Sequence, residues 1–152
     1  MADFPVHKAK SAEESAQMYD EWATSYDNEL AKCQYNGPAL MAEFVADLLQ
    51  NRDARILDVA AGTGFVGSEL AKQGFMNVDA HDGSDKMLEV AKRRGVYKNF
   101  YQELFHASRP LQQVPTGAYD ALVMVGCLSP GHLCPDHLPL LLTALKVREE
   151  II

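Results

Sequence analysis

The sequence predicts an α/β protein built on a parallel sheet with helices on both faces. Three observations carry this. Short apolar runs alternate with longer stretches of helical periodicity, the pattern of strands joined by crossover helices. One run, Ala121-Leu122-Val123-Met124-Val125, is apolar without alternation, as a strand buried on both faces requires. Residues 56–72, Ile-Leu-Asp-Val-Ala-Ala-Gly-Thr-Gly-Phe-Val-Gly-Ser-Glu-Leu-Ala-Lys, read as a strand, a tight glycine turn and a helix N-terminus.

Taken in order, residues 11–33 predict a helix, with Ala, Glu, Met and Leu frequent and no Pro or Gly. Tyr19, Trp22 and Tyr26 recur at spacings of three and four, so they share one helix face. Asn36-Gly37-Pro38 breaks the pattern, and Pro38 suits the first turn of a second helix. In that helix Leu40, Met41, Phe44, Val45, Leu48 and Leu49 are expected to form one buried stripe. A first strand is expected over Arg55–Val59. The helix after the glycine turn runs to about Gln73, with Gly74 as its stop.

A second strand is expected over about Met76–His81. Asp82-Gly83-Ser84 makes a turn, and Ser84 caps a helix that Gly95 ends. A third strand is expected over about Phe100–Leu104, a loop over 106–117, a fourth strand over Tyr119–Val125, and a last helix from about Asp136 to Val147.

Composition sets bounds. The chain has 152 residues, 47% of them hydrophobic and 23% charged, enough for one domain with a real core. The formal net charge of −7 argues against a nucleic-acid partner. Its densest basic cluster, Lys92-Arg93-Arg94, sits where cations suit a helix C-terminus. No apolar run approaches the roughly 18 residues of a membrane span. Cys33, Cys127 and Cys134 are odd in number and lack paired spacing, which points to free thiols in a reducing compartment. With no leader pattern at Met1-Ala2-Asp3-Phe4-Pro5, a cytoplasmic or nucleocytoplasmic protein is expected.

Gly62-Thr63-Gly64-Phe65-Val66-Gly67 satisfies Gly-x-Gly-x-x-Gly, which dinucleotide enzymes and methyltransferases share. Asp58, just upstream, separates them. A carboxylate there would repel a pyrophosphate, whereas it tolerates the ammonium and sulfonium of S-adenosylmethionine. Asp82, at the end of the second strand, is expected to accept hydrogen bonds from two ribose hydroxyls. Gly83 lets the backbone approach the adenine, and Met87 offers it a soft apolar contact. Leu104 and Gly126 would complete the pocket from the ends of the third and fourth strands.

Other constellations are weaker. His132, Cys134 and His137 lack a fourth metal ligand and the usual paired spacing, so structural use is expected. His132, in the Ser129-Pro130-Gly131-His132 loop, borders the expected acceptor side and is a candidate base or acceptor contact. Cys127 is expected to be a packed thiol. No residue announces itself as the catalytic base.

Several stretches together resemble the class I S-adenosylmethionine-dependent methyltransferases. They are Tyr19-Asp20-Glu21-Trp22-Ala23-Thr24-Ser25-Tyr26-Asp27, the strand and glycine turn from Ile56 to Gly64, Asp82-Gly83-Ser84 before Met87-Leu88, and Tyr119-Asp120-Ala121 leading to Val125-Gly126-Cys127-Leu128-Ser129. The likeness covers about Tyr19 to Lys146. It implies a Rossmann-like fold with an N-terminal helical lid, residues 1–37, over a partial core, residues 38–152, in one domain. It also implies that Trp22 and Tyr26 face the cofactor, and that Gly62 and Gly64 belong to the cofactor loop. The implied reaction is methyl transfer from S-adenosylmethionine to a small-molecule or protein acceptor.

Such enzymes continue past the last helix through a Lys-Pro-Gly-Gly turn into further strands. Here Lys146 is followed by Val147-Arg148-Glu149-Glu150-Ile151-Ile152. The expectation is a sheet incomplete on that side, with the outer edge of the fourth strand open to self-association. A non-catalytic protein acting by cofactor binding or association is therefore an alternative, and an NAD(P)-dependent reductase a second.

Overall fold

The computed structural model describes residues 9, 11–33, 35–128 and 132–147. Four strands form one parallel sheet in the order β3-β2-β1-β4. They are β1 Ile56–Val59, β2 Val78–Asp82, β3 Phe100–Gln102 and β4 Ala121–Met124, each shorter than or shifted from its expected span. In register, Asp58 of β1 sits beside Ala80 of β2 and Val123 of β4.

The sheet is covered on both faces, and the side-chain alternation of β1 shows how. Ile56 packs with Val78, Ala80 and Val123 under three helices: α3 Gly37–Leu48, α4 Phe65–Lys72 and α5 Asp85–Arg94. Leu57 and Val59 point the other way, against Val114, Tyr119, Cys127, Leu133, Leu141 and Ala144. The two ends of α5 follow local chemistry. Ser84 caps α5 by accepting from the Met87 amide at 3.0 Å, and Lys92, Arg93 and Arg94 fill its last turn before Gly95.

Three expectations need correction. The helix expected over 11–33 is two helices, α1 Ala12–Trp22 and α2 Tyr26–Lys32. The Ser25 hydroxyl sits against the Trp22 carbonyl and bonds the Glu29 carboxylate at 2.7 Å, so the hydroxyl and its i−3 amide bond tighten the chain into a turn. In α3 the expected single stripe divides. Val45 and Ala42 are buried, whereas Leu40, Phe44 and Leu48 are 56%, 59% and 64% exposed along one line of the helix. The last helix is broken into a 3-10 turn Pro135–His137, the short α6 Leu138–Leu141 and a 3-10 turn Leu142–Ala144. The chain then turns extended at Leu145, which bridges Tyr119 in parallel while the Lys146 amide donates to the Tyr119 carbonyl at 2.8 Å. That bridge begins alongside the outer edge of β4.

Among the described residues no helix is long and apolar enough to cross a membrane. At the amino ends of the strands Asp79 is fully engaged, accepting from Arg55, Asn99 and Tyr119, each at 2.8 Å. A buried carboxylate with three donors is a staple of the sheet and leaves chemistry to the opposite end.

Candidate functional site

At the carboxyl ends of the strands lies a cavity of about 700 Å³, open to solvent, where open parallel sheets bind ligands. Seven of the ten residues expected at a cofactor site line it: Tyr26, Gly62, Asp82, Gly83, Met87, Leu104 and Gly126. Helix α1 lies across the cavity and contributes Ala12, Ser15, Ala16 and Tyr19. It is tied down by Asp20, which accepts from the Ser84 hydroxyl and from the Lys86 amide at 3.2 Å.

Asp82 ends β2 and organises the floor. Its two oxygens accept from the Gly62 amide and the Ser84 amide, both at 2.8 Å. One carboxylate thus joins the glycine turn to the start of α5. Burial pushes its pKa up, with the amide bonds opposing. Each oxygen retains a second lone-pair direction for a ligand hydroxyl. Gly83 is required by close approach: a Cβ there would meet Leu104 Cδ2 at 2.9 Å. The neighbouring strand end is strained, for Ala60 has φ 57°. A non-glycine residue in that region at a cavity wall is a mark of functional backbone.

Asp58, Gly64 and Trp22 lie outside the cavity lining. Asp58 shares the β1 face with Ile56, so it points under α4 and α5 and away from the cavity. There it is buried and accepts from the Tyr97 hydroxyl at 2.7 Å, while its Oδ1 has no partner among the described residues. Burial pushes its pKa up to about 7, against the lowering effect of the Tyr97 bond. Asp58, expected from the sequence to meet the ligand's cationic groups directly or through water, lies outside the cavity lining, beneath the glycine turn. Gly64 is the N-cap of α4 and is packed by Tyr97, Ala91 and Arg94. Trp22 meets Tyr26 edge to face at 4.7 Å and stacks on Tyr19 at 6.0 Å, behind the lining rather than in it.

A smaller hollow of about 330 Å³ adjoins the cavity between α2, residues 35–38 and the glycine turn. It shares Tyr26, Ala60, Gly62 and Val125 with the larger one and adds Tyr35, Thr63 and Phe65. The buried Thr63 hydroxyl has no partner among the described residues.

Two aromatic lining residues, Tyr19 and Phe105, went unnamed as cofactor candidates. Tyr19 lies on the helical face that the Tyr19, Trp22, Tyr26 spacing defines, so the signal was present. Its hydroxyl lies 2.9 Å from His132 Nε2. Phe105 follows the third strand with no pattern to mark it. His132 and Cys127 do line the cavity, and burial pushes the Cys127 thiol up to about 11. Ser129, Pro130 and Gly131 lie outside the described residues. Cys134 and His137 contact each other at 3.0 Å on an exposed turn, and among the described residues no group of three His, Cys, Asp or Glu converges as a metal site.

Fold and site define a class: an α/β protein of the Rossmann-like kind with a cavity at its strand ends. The chain belongs to the methyltransferase domain family, whose pattern matches residues 56–147. It is similar to human methyltransferase-like protein 27, with 34% identity over 136 residues, 88% of this chain and 55% of that protein. Among solved structures it resembles the [4+2]-cyclase SpnF, at TM-score 0.65 and 21% identity, covering 91% of this chain and 57% of that one. That likeness is one of fold. It also resembles the DhpI–SAM–HEP complex, at TM-score 0.51 and 26% identity, covering 71% of this chain and 47% of that one. The chain thus spans about half the length of these relatives.

Proposed function

We propose that this chain binds S-adenosylmethionine in the strand-end cavity and supports transfer of its methyl group to an acceptor. The observation that carries this reading is the meeting of Asp82, the glycine turn, Met87 and Leu104 in one cavity whose lining includes no Lys or Arg among the described residues. A dinucleotide pyrophosphate would find no Lys or Arg among those residues, while a nucleoside with a cationic sulfonium needs none. Family membership and a relative solved with SAM support the same ligand.

In this reading Asp82 accepts the ribose hydroxyls, and Gly83, Met87 and Leu104 hold the adenine. Gly62, Gly126 and Tyr26 flank the rest of the ligand. Asp58 and Gly64 act through the shape of the turn, and Trp22 by bracing Tyr26. The cofactor supplies an already activated methyl group, so the protein's part is alignment and exclusion of water. Residues 1–37 serve as the lid segment and 38–152 as the core of one domain.

We further infer that the chain is a relative of the methyltransferase-like protein of the Williams-Beuren syndrome critical region. The Tyr-Asp-x-Trp-Ala-x-x-Tyr-Asp segment and the Val-Gly-x-Leu-Ser stretch support this. The acidic balance supports a small-molecule or protein acceptor over nucleic acid, and the cysteines Cys33, Cys127 and Cys134, all free thiols, support a reducing, cytoplasmic setting. A second reading, association through the outer edge of β4, draws on the isolated parallel bridge of Leu145 with Tyr119, just before β4. Calorimetric titration with S-adenosylhomocysteine tests the first reading, and gel filtration across concentrations tests the second. Ligand-dependent heat from a monomer supports methyl transfer. No heat from an oligomer supports association.

A further inference from the structure

The Tyr19 hydroxyl and His132 Nε2 lie 2.9 Å apart, and their rings meet edge to face at 5.4 Å. They come from different parts of the chain, Tyr19 from α1 and His132 from the segment after β4, and both line the large cavity. The residues assigned above to ribose and adenine are Asp82, Gly83, Met87 and Leu104. The part of the cavity bounded by Tyr19 and His132 is left for the acceptor.

Charge narrows the acceptor's class. The cavity lining includes the Asp82 carboxylate and the rings of Tyr19, Tyr26 and Phe105, with no Lys or Arg among the described residues. Carboxylate and aromatic faces attract a cation, and among the described lining residues only His132 could carry a charge that offsets an anion. An amine acceptor matches this lining better than a carboxylate or phosphate. We propose that Tyr19 and His132 form a two-residue proton relay for a small amine acceptor, a proposal that rests on the methyl-transfer reading.

The relay balances. A protonated amine gives one N–H proton to Tyr19 Oη as the Tyr19 O–H proton passes to His132 Nε2. The electron pair of the broken N–H bond stays on nitrogen as the lone pair of the neutral amine, the tyrosine stays neutral and the imidazole becomes imidazolium. Burial, helped by the nearby Asp82 charge, pushes the Tyr19 hydroxyl well above its ordinary value, so a free tyrosinate is not an intermediate. The other titratable groups near Tyr19 are Cys127, Tyr26 and Tyr35. The relay requires His132 to carry its proton on Nδ1 and present a bare Nε2 to Tyr19.

The test is nitrogen NMR of the chain labelled with [15N]histidine and saturated with S-adenosylhomocysteine, the His132 signals being assigned by their loss in His132→Gln. Benzylamine, benzyl alcohol and benzoate are the probes. The expected spectrum shows the Nδ1–H tautomer at His132, ring-nitrogen shifts on adding benzylamine but not benzoate, and loss of that response in Tyr19→Phe. Thermal stabilisation by S-adenosylhomocysteine should survive in both variants, which shows that they fold. An Nε2–H tautomer, silence toward benzylamine, or an equal response to benzoate overturns the relay. Absence of any stabilisation by S-adenosylhomocysteine overturns the methyl-transfer reading itself, and the relay with it.

Discussion

Tyr97 donates to Asp58 Oδ2 at 2.7 Å and accepts from the Gly67 amide at 3.1 Å. One phenol thereby fastens the end of β1 to the first turn of α4, with the glycine turn strung between them. The arrangement explains Gly67, because a Cβ there would stand 2.3 Å from Tyr97 Cζ. Tyr97→Phe leaves a buried carboxyl oxygen and a buried amide without partners, an expected loss of about 2–3 kcal/mol. Gly67→Ala forces the ring aside and is expected to cost about 3 kcal/mol, the upper end for overpacking. Urea unfolding of both variants checks these values.

Asp58 gives a pH dependence of definite sign. Its carboxyl is raised from an ordinary 3.8 to about 7 by burial, so between those values the folded state holds a proton that the unfolded state releases. Its contribution is full below pH 4, declines as pH rises, and is gone above about pH 7. His81 acts in the opposite sense. Burial lowers it to about 4, so its contribution is full above its ordinary 6.5 and falls as pH drops toward 4. Comparing wild type with Asp58→Asn isolates the first effect. The melting temperature of the variant is expected to gain on wild type from pH 4 to pH 7 and to hold a constant difference above that.

Asp82 bears on affinity. Asp82→Asn keeps one acceptor of the two and loses the charge that draws ligand hydroxyls. A charge-assisted hydrogen bond is worth about 1.5–3 kcal/mol, so S-adenosylhomocysteine binding is expected to weaken about 10- to 100-fold. Calorimetry of folded variant and wild type side by side reads the difference.

Helix α3 separates exposed from buried apolar positions that look alike in sequence. Phe44→Ser, on the exposed line with Leu40 and Leu48, is expected to change stability by less than about 0.5 kcal/mol. Val45→Ala, in the buried position next to it, is expected to cost about 1–3 kcal/mol. Chemical denaturation of the two variants decides whether the helix is oriented as described.

The β1–turn–α4 unit was legible because a short apolar run, three glycines and a helical pattern leave one local solution. The cap at Ser84 and the stop at Gly95 were legible for the same reason. In α3 the sequence Gly-Pro-Ala-Leu-Met-Ala-Glu-Phe-Val-Ala-Asp-Leu carries apolar residues on more than one face, so periodicity could not choose which face is buried. The break at Ala23–Ser25 depends on Ser25 bonding backbone and Glu29, a competition that composition hides. The direction of Asp58 could have been read from strand alternation, since it shares a face with Ile56. Its partner Tyr97 could not, because that contact joins segments distant in sequence. The end of the last helix was set by pairing of Leu145 with Tyr119, again a long-range effect.

The strand-end cavity is proposed to hold an adenosyl methyl donor. The most direct test is calorimetric titration of the chain with S-adenosylmethionine and S-adenosylhomocysteine, set beside NAD(H), with Asp82→Asn as control. Saturable one-to-one binding of both adenosyl ligands is expected, weakened in the variant, with no comparable binding of NAD(H). Binding of NAD(H) in preference, or adenosyl binding indifferent to Asp82, would contradict it.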